Sequence, residues 1–152
     1  DYLEFQAKQW ASEKLEYSPF ARVAVNGSQT LALIDSGANF TMISLSFAKK
    51  AGLEHLIDKN NRTTFRVIGG NTRSIGTIYM CPFEMGDAKF TAKVDVMKFE
   101  FYDVLIGMNV LRPFKSLIDL PNKRLVLNKK IPIEFVSTNE IERHFNLQSL
   151  LM

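Results

Sequence analysis

The stretch Leu31-Ala32-Leu33-Ile34-Asp35-Ser36-Gly37-Ala38 runs an apolar strand straight into a carboxylate on a tight loop. Leu33 and Ile34 keep water away from the back of the acid. Gly37 permits the sharp turn and lets its backbone N–H approach the carboxylate. Ser36 offers a hydroxyl that can brace the loop against a neighbour. Taken alone, Asp-Ser-Gly is also an ordinary turn or a helix N-terminus, so its meaning depends on its surroundings.

Three further features give it that context. Asp103-Val104-Leu105-Ile106-Gly107-Met108-Asn109-Val110-Leu111 repeats the pattern of an apolar strand, a glycine and then a helical turn. Ile68-Gly69-Gly70 forms a glycine-rich tip between the two. Ile75-Gly76-Thr77-Ile78 reads as the start of a return strand from a mobile hairpin.

Outward from this centre the chain is mostly short strands and turns. Residues 2–16 read as a helix, ended by Ser18-Pro19. From Phe20 the period becomes two, through Ala21, Val23 and Val25, and Asn26-Gly27 signals a type I′ hairpin. Thr41-Met42-Ile43 is another strand, and Ser44 caps a helix that Gly52 stops. Strands are expected over 75–85, 90–97 and 102–106, then on either side of Pro121-Asn122-Lys123. Beyond Ile131 come one short strand and a helix near Glu140 to Leu151. The expected fold is mainly β, a closed barrel or sandwich with one or two short helices and helical extensions at both ends. The expected division is an arm over 1–18, a core domain over 19–130 and an extension over 131–152.

Composition narrows the function. The chain has 152 residues, 46% of them hydrophobic and 23% charged, with a formal charge of +3, which fits one domain with a real core. Its cations are scattered rather than striped among aromatic platforms, so nucleic-acid binding is not expected. No apolar run of about 18 residues suggests a membrane span. The single cysteine, Cys81, cannot form an internal disulfide and points to a reducing compartment. It reads as a buried structural thiol, and two histidines without a Cys/His cluster leave no zinc site to expect. The opening Asp1-Tyr2-Leu3-Glu4 lacks methionine and a basic signal region, as in a piece of a longer protein.

Cleaving a peptide with carboxylates alone takes two of them sharing one proton. One acts as base on water while the other hydrogen-bonds the scissile carbonyl. This chain carries one such motif, so a second Asp35 must come from another copy across a two-fold axis. No metal or organic cofactor is implied.

In order and spacing these motifs resemble the retroviral-type aspartic proteases, the retropepsins. More closely, they resemble the retroviral-like protease domain of the DNA-damage-inducible family of ubiquitin-shuttle proteins. The resemblance runs from about Phe20 to Leu127 and includes the helix from Ser44 to Gly52, which is typical of the shuttle group. It implies that Asp35 is the catalytic acid/base, with Ser36, Gly37 and Ala38 as its loop. A substrate-covering flap would run from about Arg66 to Gly76 and use Val67, Ile68, Gly69, Gly70, Ile75 and Gly76. Ile106 and Gly107 would support the active-site loop.

The implied protein is a homodimeric endopeptidase that takes an extended peptide or protein segment. Regions outside this chain would meet ubiquitinated proteins and the proteasome, in the cytoplasm and nucleus. Asn109 stands where the family often has an acidic residue, and 71–74 depart from the family's flap. Two alternatives stay open: a catalytically weak binding and dimerisation module of the same fold, and a polyprotein-processing protease of a retroelement.

Overall fold

Asn26 (φ 50°) and Gly27 (φ 83°) both occupy left-handed backbone, the geometry of a type I′ turn. They join β1 (Tyr17–Val25) to β2 (Ser28–Ile34), paired antiparallel from Val25↔Ser28 to Phe20↔Leu33. The computed structural model describes residues 17–99 and 101–145. The helix expected over 2–16, and the part of the last helix beyond 145, lie outside the described residues. β1 begins at Tyr17, ahead of Phe20, because Tyr17 pairs with Ser137 far along the chain. Pro19 is tolerated there since the register shifts between Tyr17 and Ala21, and irregular pairing spares the missing N–H.

The remaining strands follow in order. β3 (Thr41–Ser44) leads into helix α1 (Leu45–Lys50), whose first turn is capped by Ser44, its Oγ accepting from the Phe47 N–H at 3.1 Å. A short 3-10 turn (Glu54–Leu56) precedes β4 (Thr64–Val67) and β5 (Gly70–Arg73). Next come β6 (Gly76–Met85), β7 (Ala88–Met97) and β8 (Val104–Ile106), then the single turn α2 (Met108–Leu111). The described chain ends with β9 (Leu117–Asp119), β10 (Arg124–Leu127), β11 (Ile131–Ser137) and α3 (Thr138–Phe145).

These strands form a nine-stranded sheet in the order β2-β8-β3-β7-β6-β1-β11-β10-β9, and the extra β1–β2 pairing closes β2 through β1 into a barrel. Closure leaves these six barrel strands without an open edge, while β11, β10 and β9 extend the sheet beyond β1 and end at β9. β4 and β5 stand apart as a two-stranded hairpin. Val23, Val25, Ile43, Phe47, Phe83, Ile106 and Leu125 belong to one buried core. Cys81 is in it and fully buried, and burial pushes its thiol up to about 12. β11 pairs with both β1 and β10 and adds Ile133 and Phe135 to the same core. α3 covers the outer side of β2 by packing Ile141 on Leu31 and Val136, with Arg22 and Glu140 paired at 2.6 Å beside it.

The strand that matters most for the site is β8. It lies parallel to β2, with Ile34 opposite Ile106, and antiparallel to β3, with Met42 opposite Leu105. The loop leaving β2 must therefore arch over the end of β8 to reach β3.

Candidate active site

That arching loop is 35–40, and its backbone is fastened to the segment that follows β8. The Asp35 N–H donates to the Ile106 carbonyl at 2.9 Å, and the Met108 N–H donates back to the Ala38 carbonyl at 2.8 Å. The Asn109 N–H adds a third tie to the Asn39 carbonyl at 3.1 Å. Within the loop, the Ala38 N–H reaches the Asp35 carbonyl at 3.2 Å. The Gly37 N–H donates to Asp35 Oδ1 at 2.9 Å, which fixes the orientation of the carboxylate. A Cβ at Gly37 would stand 3.2 Å from that same oxygen.

Gly107 is where the two segments press closest. A Cβ there would lie 2.2 Å from the Phe40 carbonyl oxygen and 2.8 Å from that of Ala38. The Gly107 N–H donates to Thr41 Oγ1 at 3.2 Å, and the Thr41 hydroxyl donates to Asn109 Oδ1 at 2.7 Å. The Asn109 amide completes the chain by donating to the Lys93 carbonyl at 3.0 Å. Asn109 thus works through neutral hydrogen bonds at a position where the resemblance implied an acid.

Behind the loop, Ile34 and Ile106 are buried while Leu33 is half-buried. In front, Asp35 is half-buried and Ser36 and Gly37 are exposed, so the carboxylate is backed by apolar strands and open on one side. Tyr102 stands within electrostatic reach of it. Burial raises the Tyr102 phenol above the usual tyrosine value, and the charge of Asp35 raises it further. Phe99 and Phe20 pack on the Tyr102 ring at 5.1 and 6.4 Å. Sequence reasoning missed Tyr102. Its only local signal was its place just before the strand that delivers Gly107.

The hairpin places Val67 opposite Gly70, with Ile68 and Gly69 at its tip. Gly69 (φ 92°) and Gly70 (φ 147°) take backbone that other residues adopt only with strain. Ile68 is fully exposed. Near the base, Phe65 meets Phe40 of the active-site loop edge-on at 5.6 Å, so the hairpin reaches the site through this aromatic pair. The base itself is clamped. The Ser74 N–H donates to the Thr63 carbonyl and the Thr63 N–H to Ser74 Oγ, both at 2.8 Å. Thr63 Oγ1 donates to the buried Asp95 at 2.8 Å.

The expected extent of the hairpin needs correction. Its return strand is Gly70–Arg73, Gly76 begins the barrel strand β6, and Ile75 just ahead of it is bonded to β7. The Ile75 N–H donates to the Val96 carbonyl at 2.7 Å. Gly76 is buried, with its Cα so close to the chain that a Cβ would be 2.5 Å from the Asp58 carbonyl oxygen. Alternating apolar residues suit either a hairpin or a barrel strand, and the tight approach at Asp58 is what allows only glycine in the barrel.

One loop-borne carboxylate at the mouth of a six-stranded closed barrel, beside a separate hairpin, defines an aspartyl protease domain of retropepsin-like architecture. A family model described as aspartyl protease matches residues 15–119, and the chain belongs to that family. Its relatives place it with the DNA-damage-inducible group. The chain is 34% identical over 125 residues to "Protein DDI1 homolog 1" of Caenorhabditis elegans, covering 82% of this chain and 32% of that protein. It is 31% identical over 127 residues to "UBA domain-containing protein Mud1" of Schizosaccharomyces pombe, covering 84% and 38%. The chain therefore spans about a third of the length of these relatives.

Solved structures carry the same fold. The retroviral protease-like domain of Ddi1 from Leishmania major superposes with a TM-score of 0.67 at 23% identity, over 81% of this chain and 93% of that one. The EIAV protease complexed with the inhibitor HBY-793 gives 0.55 at 18% identity, over 67% and 92%.

Proposed function

We propose that two copies of this chain form an aspartic endopeptidase in which Asp35 and its symmetry mate share one proton and activate water. The observation that carries this reading is the seating of Asp35: its loop is tied to Ile106, Met108 and Asn109 by backbone bonds, and its carboxylate is held by the Gly37 N–H. Such fixed geometry is what catalysis needs, since small misplacements of reacting groups are costly. Two like charges that close cannot both ionise, so the pair would share one proton between them.

Dimerisation is supported by the far end of the sheet. β9 is its terminal strand, and Leu117 and Leu120 are 58% and 69% exposed there. Apolar side chains along an open edge favour pairing with another copy. The cleft would take an extended peptide as an added strand under the two hairpins, with alternate side chains entering pockets. Family resemblance favours substrates of the ubiquitin pathway, met in the cytoplasm and nucleus through regions outside this chain.

The test is cleavage of a varied panel of peptides and ubiquitin conjugates from roughly pH 4 to 7, with Asp35→Asn beside the wild type. Asparagine can still accept the Gly37 N–H, so the variant is expected to fold and dimerise yet cut nothing. A folded dimer of wild type that cuts nothing on the panel would count against the protease. It would favour the alternative of a peptide-binding module in the same cleft.

A further inference from the structure

Between β7 and α2, at the end of the active-site loop, lies a cavity of about 400 Å³ walled by Phe40, Phe90, Val110, Pro113 and Phe114. Its aromatic wall is held by the core. Phe90 stacks on the buried Phe83 at 5.4 Å and meets Phe114 edge-on at 4.8 Å. Lys93 and Asn109 supply polar lining, and Asp95 on the same side is engaged by Thr63.

The surroundings are cationic. Arg112 and Lys115 bracket the Pro113-Phe114 wall, and the Lys115 N–H donates to the Arg112 carbonyl at 2.9 Å. A 2.7 Å bond from the Asn128 N–H to the Phe114 carbonyl brings the Asn128-Lys129-Lys130 turn alongside. Lys93, Arg112, Lys115, Lys129 and Lys130 are all exposed. Among the described residues, none of them has a carboxylate oxygen within 4.0 Å. Lys115 (φ 46°) and Lys129 (φ 62°) also hold left-handed backbone. Glycine would sit there without steric cost, yet the chain keeps a cation at both positions.

We propose that this cavity and its cationic rim dock an acidic peptide segment carrying one aromatic or branched aliphatic anchor. The anchor fills the cavity, and flanking carboxylates face Lys93, Arg112 and Lys115. Charge complementarity selects this occupant. A second copy would bring the same cations against the rim, and a nucleic acid needs an open row of stacking platforms rather than one walled pocket. Phe40 belongs both to the cavity wall and to the loop bearing Asp35. A docked segment therefore stands at the end of the cleft, but its binding requires neither a second subunit nor hydrolysis.

Fluorescence anisotropy tests this with a labelled heptapeptide, one phenylalanine flanked by three glutamates on each side, titrated with wild type and Asp35→Asn alike. Both are expected to bind it saturably. Thr91→Trp, which crowds the cavity from an exposed lining position, should weaken binding at least about tenfold. The double variant Lys93→Glu with Arg112→Glu should do the same, and so should replacing the peptide's phenylalanine by alanine. Circular dichroism checks that the variants keep the fold. Equal binding of the alanine peptide would reduce the effect to bulk charge attraction and overturn the proposal. So would absence of saturable binding, undiminished binding by both folded variants, or blockade of the face by self-association of the protein. Since Asp35→Asn leaves this surface intact, failure here is distinguishable from failure of the catalytic reading.

Discussion

Gly107 and Phe40 are in backbone contact: a single Cβ on Gly107 would fall 2.2 Å from the Phe40 carbonyl oxygen. The residue just after β8 is thereby wedged under the loop that presents Asp35, and the loop's height above the barrel depends on the missing side chain.

Gly107→Ala should therefore push the active-site loop off its support. Overpacking of this kind costs about 1–3 kcal/mol, and peptide cleavage should fall far more than stability does. Gly76→Ala is the control, because its Cβ would meet the Asp58 carbonyl at 2.5 Å away from the loop. It should lower the urea midpoint comparably while leaving the turnover of the folded fraction near wild type. Equal loss of turnover in both would show that Gly107 has no special hold on the site.

Tyr102 reports on the charge of Asp35. Its phenol is raised by burial first and by Asp35 second. Because the folded value lies above the unfolded one, its contribution to stability is complete below the ordinary tyrosine value and is lost as pH rises through the raised one. Asp35→Asn removes the second cause, so the Tyr102 titration followed by ultraviolet absorbance should move down. An unchanged titration would place the Asp35 charge out of reach of Tyr102.

Thr63 holds the base of the hairpin to Asp95, which is only 2% exposed. Thr63→Val leaves that carboxylate without the hydroxyl, at a cost of about 1–3 kcal/mol near neutral pH. Burial already raises the Asp95 acid, and the Thr63 bond lowers it, so the variant should raise it further. A raised acid favours the folded state below its unfolded value and loses that advantage as pH climbs through the folded one. The deficit of Thr63→Val should consequently shrink as pH falls toward the carboxylate range, as read by urea unfolding at several pH values. A deficit independent of pH would assign the loss to packing.

Cys81 is fully buried, and burial pushes its thiol up to about 12. Iodoacetamide at mildly alkaline pH should leave it unmodified in the folded protein, since the thiolate is the nucleophile. Labelling should appear with the urea unfolding transition. Rapid labelling in the absence of urea would reveal local opening of β6 around Cys81.

Much of the local structure was legible in the chain because its causes are local. Asn26-Gly27 tolerates positive φ, so the first hairpin could be read from two residues. Ser44 supplies a hydroxyl at the right distance before Phe47, so the start of α1 could be read as well. The helix expected through residue 51 ends at Lys50, with Gly52 (φ 73°) just beyond it. Ile34-Asp35-Ser36-Gly37 and Ile106-Gly107 declared themselves as strand-to-loop junctions.

What the chain by itself determined was thus the strands, the turns, and one carboxylate on a glycine loop with the chemistry that carboxylate permits. Tertiary structure alone decided that β8 inserts between β2 and β3, that Gly107 rests against Phe40, and that Tyr102 stands within reach of Asp35. It also decided that Gly76 opens the barrel strand β6, with Ile75 bonded to β7, rather than ending the hairpin. The physical reason is range. Turn and cap preferences act over a few residues and leave a mark in sequence. Strand neighbours far apart in the chain are chosen by which packing excludes water and satisfies every backbone group at once, and a period of two looks the same in either partner.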